Sequence, residues 1–87
     1  MALFLARVFV TLKPTVNDPQ GNTIADGLRS LGFTGVQDVR AGKYIEVKVE
    51  AAGAEEAGTQ LHSMCDKLLA NPVIEGYRFD VEELVKA

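Results

Sequence analysis

One cysteine and one histidine occur in these 87 residues, and each shortage closes off a class of function. The lone Cys65 excludes an internal disulfide framework. Cys65 and His62 without a second pair at ligand spacing fall short of the usual four-ligand metal set within one chain. No apolar run approaches the roughly 18 residues of a membrane span. Met1-Ala2-Leu3 lacks a basic leader and cleavage pattern, so a cytoplasmic location is expected. Basic residues are outnumbered, 9 Lys and Arg against 12 Asp and Glu, and the net charge of -3 gives no electrostatic footprint for nucleic acid or acidic membranes. Neither a Walker loop nor GxGxxG is present.

What is there is an ordinary globular composition, 47% hydrophobic and 24% charged. The length implies a single domain over residues 1–87. A chain this short buries only about 60 to 65% of its unfolded surface, so its stability is marginal and oligomerisation would help.

The first element is the most informative. Leu3 to Leu12 is a run of aliphatic, β-branched and aromatic residues that reads as a strand. Alternation puts Phe4, Ala6, Val8, Val10 and Leu12 on one face and Leu3, Leu5, Arg7, Phe9 and Thr11 on the other. Leu3, Leu5 and Phe9 make the second face apolar enough to call for a partner. Pro14 ends the strand, and Asp18-Pro19 starts a helix that runs to about Leu31 and closes at Gly32.

Val36 to Arg40 is expected to be a second strand, joined by a hairpin at Ala41-Gly42 to a third at Lys43 to Glu50. In the third, Ile45, Val47 and Val49 form an apolar face. A second helix is expected from about Ala54 to Ala70, with Ala57, Leu61, Met64, Cys65 and Leu68 at helical spacing, and Asn71-Pro72 stops it. The last strand is roughly Gly76 to Glu82. This order predicts an α+β, ferredoxin-like βαββαβ fold: a four-stranded antiparallel sheet, first and third strands central, with two helices on one face. The helix-facing side of the first strand would then meet Ile24, Leu28, Leu31, Leu61, Met64 and Leu68.

Catalytic readings are weaker than structural ones. Cys65 and His62 are the available nucleophile and base, but Cys65 falls in the apolar stripe, where a thiol is packing. Lys13, Arg40 and Lys43 flank loops near a helix start whose amides attract anions, yet Asp18 occupies that positive end itself. Tyr77 and Phe79 lie on a face assigned inward, which argues against the base stacking of RNA-recognition domains. Glu50, Glu55, Glu56, Asp66 and the run Asp80 to Glu83 sit on polar faces rather than in the dry cleft that acid/base work requires.

Four stretches resemble the PurS family, the small S subunit of bacterial phosphoribosylformylglycinamidine (FGAM) synthase. They are Val10-Thr11-Leu12-Lys13-Pro14 running into Asp18-Pro19-Gln20-Gly21, then Leu31-Gly32-Phe33, then Asp38 to Lys43 with Glu46, and finally Met64 to Glu75. The resemblance implies a part in purine biosynthesis, at the step converting formylglycinamide ribonucleotide, glutamine and ATP to FGAM, glutamate, ADP and phosphate. The chain would be a non-catalytic subunit of this ATP-dependent carbon–nitrogen ligase, with no cofactor of its own, Mg-ATP being used by the synthetase subunit.

Its implied partners are further copies of itself, as homodimer or homotetramer, and the synthetase (PurL-type) and glutaminase (PurQ-type) subunits, which it would bridge while helping to retain ammonia. On that reading Leu3, Leu5 and Phe9 are the self-interface candidates, and Lys13, Arg40 and Lys43 are the candidates for contact with the larger subunits. The alternative is a dimeric ferredoxin-like sensor of a small molecule, which fold alone does not exclude.

Overall fold

β1 (Ala2–Leu12) runs through the middle of the molecule, and its alternation arranges everything around it. The computed structural model describes residues 1–84. Phe4, Ala6, Val8 and Val10 are fully buried on one face of β1. β2 (Gly42–Ala51) pairs with one edge and β3 (Glu75–Glu83) with the other, both antiparallel, in a three-stranded sheet of order β2-β1-β3. The register sets Ala6 opposite Val47 and Val81, and Val8 opposite Ile45 and Phe79, so the apolar sets of all the strands share one face.

α2 (Ala54–Met64) closes that face with Ala57 and Leu61, both fully buried. It does not continue as a regular helix to Ala70. Residues Cys65–Leu69 form a π-turn, in which the Ala70 N–H donates to the Cys65 carbonyl at 3.0 Å. The wider turn inserts one residue into the helical repeat. After Leu61 and Cys65, the next fully inward position is therefore Ala70, while Leu68 is 83% exposed, against its expected place in the core. No helix among the described residues is long and apolar enough to cross a membrane.

α1 (Pro19–Ser30) begins and ends where its signals stand. The Asp18 carboxylate accepts the Gly21 N–H at 2.9 Å, and Gly32 takes φ 102° just beyond the C-terminus. Its placement differs from expectation, because α1 makes almost no contact with the sheet or with α2. Ile24 and Leu31 are exposed and Leu28 is half-buried, so only one of the two helices covers the sheet. The radius of gyration, 16.8 Å, reflects that projection, since a compact chain of this length has about 12 Å.

The sheet is three-stranded rather than four-stranded because Val36 to Arg40 is not a strand. Its backbone groups find partners on α1 and at the helix cap. The Arg29 guanidinium donates to the Val36 carbonyl at 3.1 Å and to the Gln37 carbonyl at 3.2 Å, and Asp18 accepts the Ala41 N–H at 2.7 Å. With those groups satisfied, the segment does not pair with β2. The third expected strand is thus an edge, and β1 alone is central.

Candidate functional site

The end of β1 where the chain turns into α1 gathers the polar residues that the sequence singles out. Asp18 is its pivot. Although a carboxylate, it is only 3% exposed, with one oxygen on the Gly21 N–H and the other on the Ala41 N–H. It therefore ties the start of α1 to the start of β2. The Gly21 bond, the Ala41 bond and the nearby Arg40 charge, in that order of effect, hold its carboxyl below the usual carboxylate range.

A depressed value in the folded state means that Asp18 adds stability above the unfolded value near 3.9, and that this contribution is lost as pH falls through the folded value. Asp18→Asn is accordingly expected to lower the melting temperature at pH 7 and to flatten the acid limb of the stability curve below about pH 4. Thermal melts across that range check it; acid limbs that run parallel in the two proteins would contradict the assignment.

Lys13, Arg40 and Lys43 are brought to this same end. The Arg40 guanidinium donates to the carbonyls of Lys13 and Val16, at 3.1 and 2.7 Å, so it clamps the turn after β1. The Lys43 ammonium lies 3.6 Å from Glu75 across the sheet. Lys13 is exposed, its backbone N–H donates to Ile74 at 2.8 Å, and its side chain has no ion pair among the described residues. An open depression of about 260 Å³ lies against Asp18, Gln20, Gly42 and Lys43, and another of about 320 Å³ against Pro14, Asp38 and Arg40. The corner is a polar, sculpted surface where the ends of β1, α1 and β2 meet the 36–41 segment.

Leu3, Leu5 and Phe9 lie together on the sheet face opposite α2 and are each half-buried. Their neighbours are more polar than β1 by itself suggests. The Arg7 guanidinium bridges Asp80 and Glu82 at 3.1 and 2.7 Å. Phe9 sits between the Tyr44 ring, 5.2 Å away, and the Arg78 guanidinium, 4.1 Å from its centroid. Long side chains from β2 and β3 thus shelter the apolar residues of β1 without enclosing them.

The residues weighed for chemistry are dispersed or engaged. Cys65 is fully buried, and burial raises its thiol above the ordinary range, which leaves little thiolate. His62 turns away from it: Nδ1 is 2.8 Å from the Tyr77 hydroxyl, and Nε2 is 3.3 Å from Asp66. The Tyr77 hydroxyl also donates to Asp66 at 3.0 Å, and burial followed by that bond raises its pKa. This network escaped sequence reasoning. The His62 and Asp66 spacing hints at it, but Tyr77 joins only through the packing of β3 on α2. Asp18 was legible as a helix cap; its second bond, to Ala41, was not.

Residues 5–83 match the family described as PurS, phosphoribosylformylglycinamidine (FGAM) synthase. The chain is 51% identical over 78 residues to the PurS subunit of this synthase from Synechocystis, covering 90% of this chain and 78% of that one. It is 45% identical over 83 residues to the subunit from Bacillus subtilis, covering 95% and 98%. A chain in the structure of PurLQS from Thermotoga maritima superposes with a TM-score of 0.83 at 39% identity, covering 97% of this chain and all 100% of that one. Sequence and fold agree along almost the entire length, and the chain belongs to the PurS family.

Proposed function

We propose that this chain is the small, non-catalytic subunit of FGAM synthase, acting in the cytoplasm to join a PurL-type synthetase and a PurQ-type glutaminase and to support ammonia transfer between them. The observation that carries the reading is the superposition, over nearly its full length, on a chain of the PurLQS assembly. The reaction is the glutamine-dependent, ATP-consuming conversion of formylglycinamide ribonucleotide to FGAM. Mg-ATP belongs to the synthetase, and this subunit has no cofactor of its own. The relatives are synthase subunits, which disfavours the sensor reading.

Assembly is supported by what the fold leaves uncovered. Ile24, Leu31, Phe33, Leu68 and Val73 are exposed, more apolar surface than a small monomer needs to present. We assign Leu3, Leu5 and Phe9 to a self-interface in a homodimer or homotetramer. Phe9→Asp is expected to lower the mass of the oligomer by light scattering, because a carboxylate would have to be buried between Tyr44 and Arg78 as that face is covered. An unchanged mass would remove this face from the interface.

Lys13, Arg40 and Lys43 are assigned to contact with the larger subunits. Lys13→Glu is the clean test, since Arg40 also holds the turn and Lys43 is paired. It should weaken complex formation by roughly fivefold or more with the fold intact, and unchanged assembly excludes Lys13.

The deciding experiment supplies purified synthetase and glutaminase with either glutamine or ammonia, with and without this chain. The expected result is loss of the glutamine reaction in its absence with the ammonia reaction preserved. Equal rates in all arms overturn the proposal.

A further inference from the structure

His62, the one histidine of the chain, stands where three elements meet. Its carbonyl shares the Cys65 N–H with that of Leu61 at the end of α2, Asp66 lies in the π-turn that follows, and Tyr77 stands on β3. The three side chains close a triangle. His62 Nδ1 is 2.8 Å from the Tyr77 hydroxyl, that hydroxyl is 3.0 Å from Asp66 Oδ1, and Asp66 Oδ2 is 3.3 Å from His62 Nε2. The His62 and Tyr77 rings lie 6.0 Å apart, which packs the end of α2 on β3.

The protons that hold this triangle can be counted. Tyr77 brings one, and burial followed by the bond to Asp66 raises its pKa, so the hydroxyl keeps that proton through the neutral range. Donated to Asp66, it leaves the Tyr77 oxygen as an acceptor, and Nδ1 must carry a hydrogen to meet it. A neutral imidazole has a single hydrogen. Placed on Nδ1, it leaves the bare Nε2 lone pair facing the Asp66 carboxylate; placed on Nε2, it leaves Nδ1 and Asp66 competing for the Tyr77 proton. With a hydrogen on each nitrogen, all three contacts are attractive.

The surroundings leave this balance to the triangle itself. Beneath α2, β1 presents Val8 and Val10 and β2 presents Ile45, Val47 and Val49, all apolar. On β3, Tyr77 is flanked on its own side by Phe79 and by Glu75, and Glu75 pairs with Lys43 of β2 at 3.6 Å. Glu55 and Glu56 stand in the first turn of α2, where Glu56 accepts from Gln60, and Lys67 follows Asp66 on the exposed side of the π-turn.

We propose that His62 is a proton-operated latch: charged, it draws Asp66 and Tyr77 together and holds the π-turn closed against β3; neutral, it lets that turn loosen. The element it biases is the one that turns Leu68 outward and Ala70 inward. The closed turn binds the His62 proton more tightly than the open turn does. Closure is therefore favoured as pH falls through the ordinary histidine range, at about 6.5, and weakens as pH rises through it. The side chains of His62 and Asp66 are 67% and 52% exposed, so solvent keeps the effect modest.

Amide hydrogen exchange of the full chain, followed by NMR, reads the latch at the Ala70 N–H, which closes the π-turn on the Cys65 carbonyl at 3.0 Å. Corrected for the intrinsic exchange rate, its protection should fall by about two- to fivefold between pH 6 and pH 8, as suits an exposed ion pair. Ordinary carboxylates and phenols do not change charge in that window. His62→Gln and Asp66→Asn, with circular dichroism as the check on folding, should each abolish the change. Protection that is independent of pH in the native chain overturns the latch. An equal fall in His62→Gln overturns it by placing the titrating group elsewhere, and an equal fall in Asp66→Asn does so by showing that the carboxylate plays no part.

Discussion

Replacing Leu61 by Ala is expected to lower the melting temperature by roughly 10 to 30 °C, the largest effect of any single substitution considered. Leu61 is fully buried where α2 meets β1, among Ala6, Val8, Val10 and Cys65. Deleting its branched end removes apolar burial and leaves a cavity between two rigid elements, at about 2 to 5 kcal/mol. A domain of this size has only about 4 to 13 kcal/mol of total stability, so the variant would be partly unfolded near physiological temperature.

Leu68→Ala is the matched control. Leu68 shares the helical repeat with Leu61 in the sequence but is turned outward by the π-turn, and its loss should stay within about 0.5 kcal/mol. Denaturation of the two variants by urea decides the matter. Equal destabilisation would mean that the π-turn does not set the register of this helix.

Gly21→Ala should be the second large effect, acting at the polar corner rather than in the core. A methyl group at Gly21 would run into the Val39 carbonyl and crowd the Asp18 carboxylate. The obstacle is backbone, so the segment from Val36 to Ala41 must move, and overpacking of that kind costs about 1 to 3 kcal/mol. Gly27→Ala, where an added methyl meets nothing, should instead be neutral or slightly stabilising in the same helix. Comparing the two by thermal melts separates the clash from helix propensity, which favours alanine at both sites. If Gly21→Ala also stabilises, the close approach of residue 39 to α1 is wrong.

Local periodicity sufficed for most of the architecture. Alternation along β1 identified its buried residues, because a strand between two others must send every second side chain into the core. Asp18-Pro19 and Gly32 bounded α1 through groups within a few residues of one another. Val36 to Arg40 departs from the expected strand: its apolar residues, Val36 and Val39, are three apart and set no strand alternation, and local sequence carries no information about competing partners. Arg29, Asp18 and Gly21 are such partners, and they lie up to 23 residues away from the groups they engage. At the site, the identities of Lys13, Arg40 and Lys43 were legible; that Arg40 holds a turn and Lys43 an acid was not.

Residue type and short spacing suffice for the two-faced central strand, the termini of α1, the α+β class and the family. Tertiary structure decided the number of strands, the outward placement of α1 and the fate of Leu68. Those features depend on which distant group satisfies a given carbonyl or fills a given space, and one widened helical turn or one buried carboxylate is enough to redirect them.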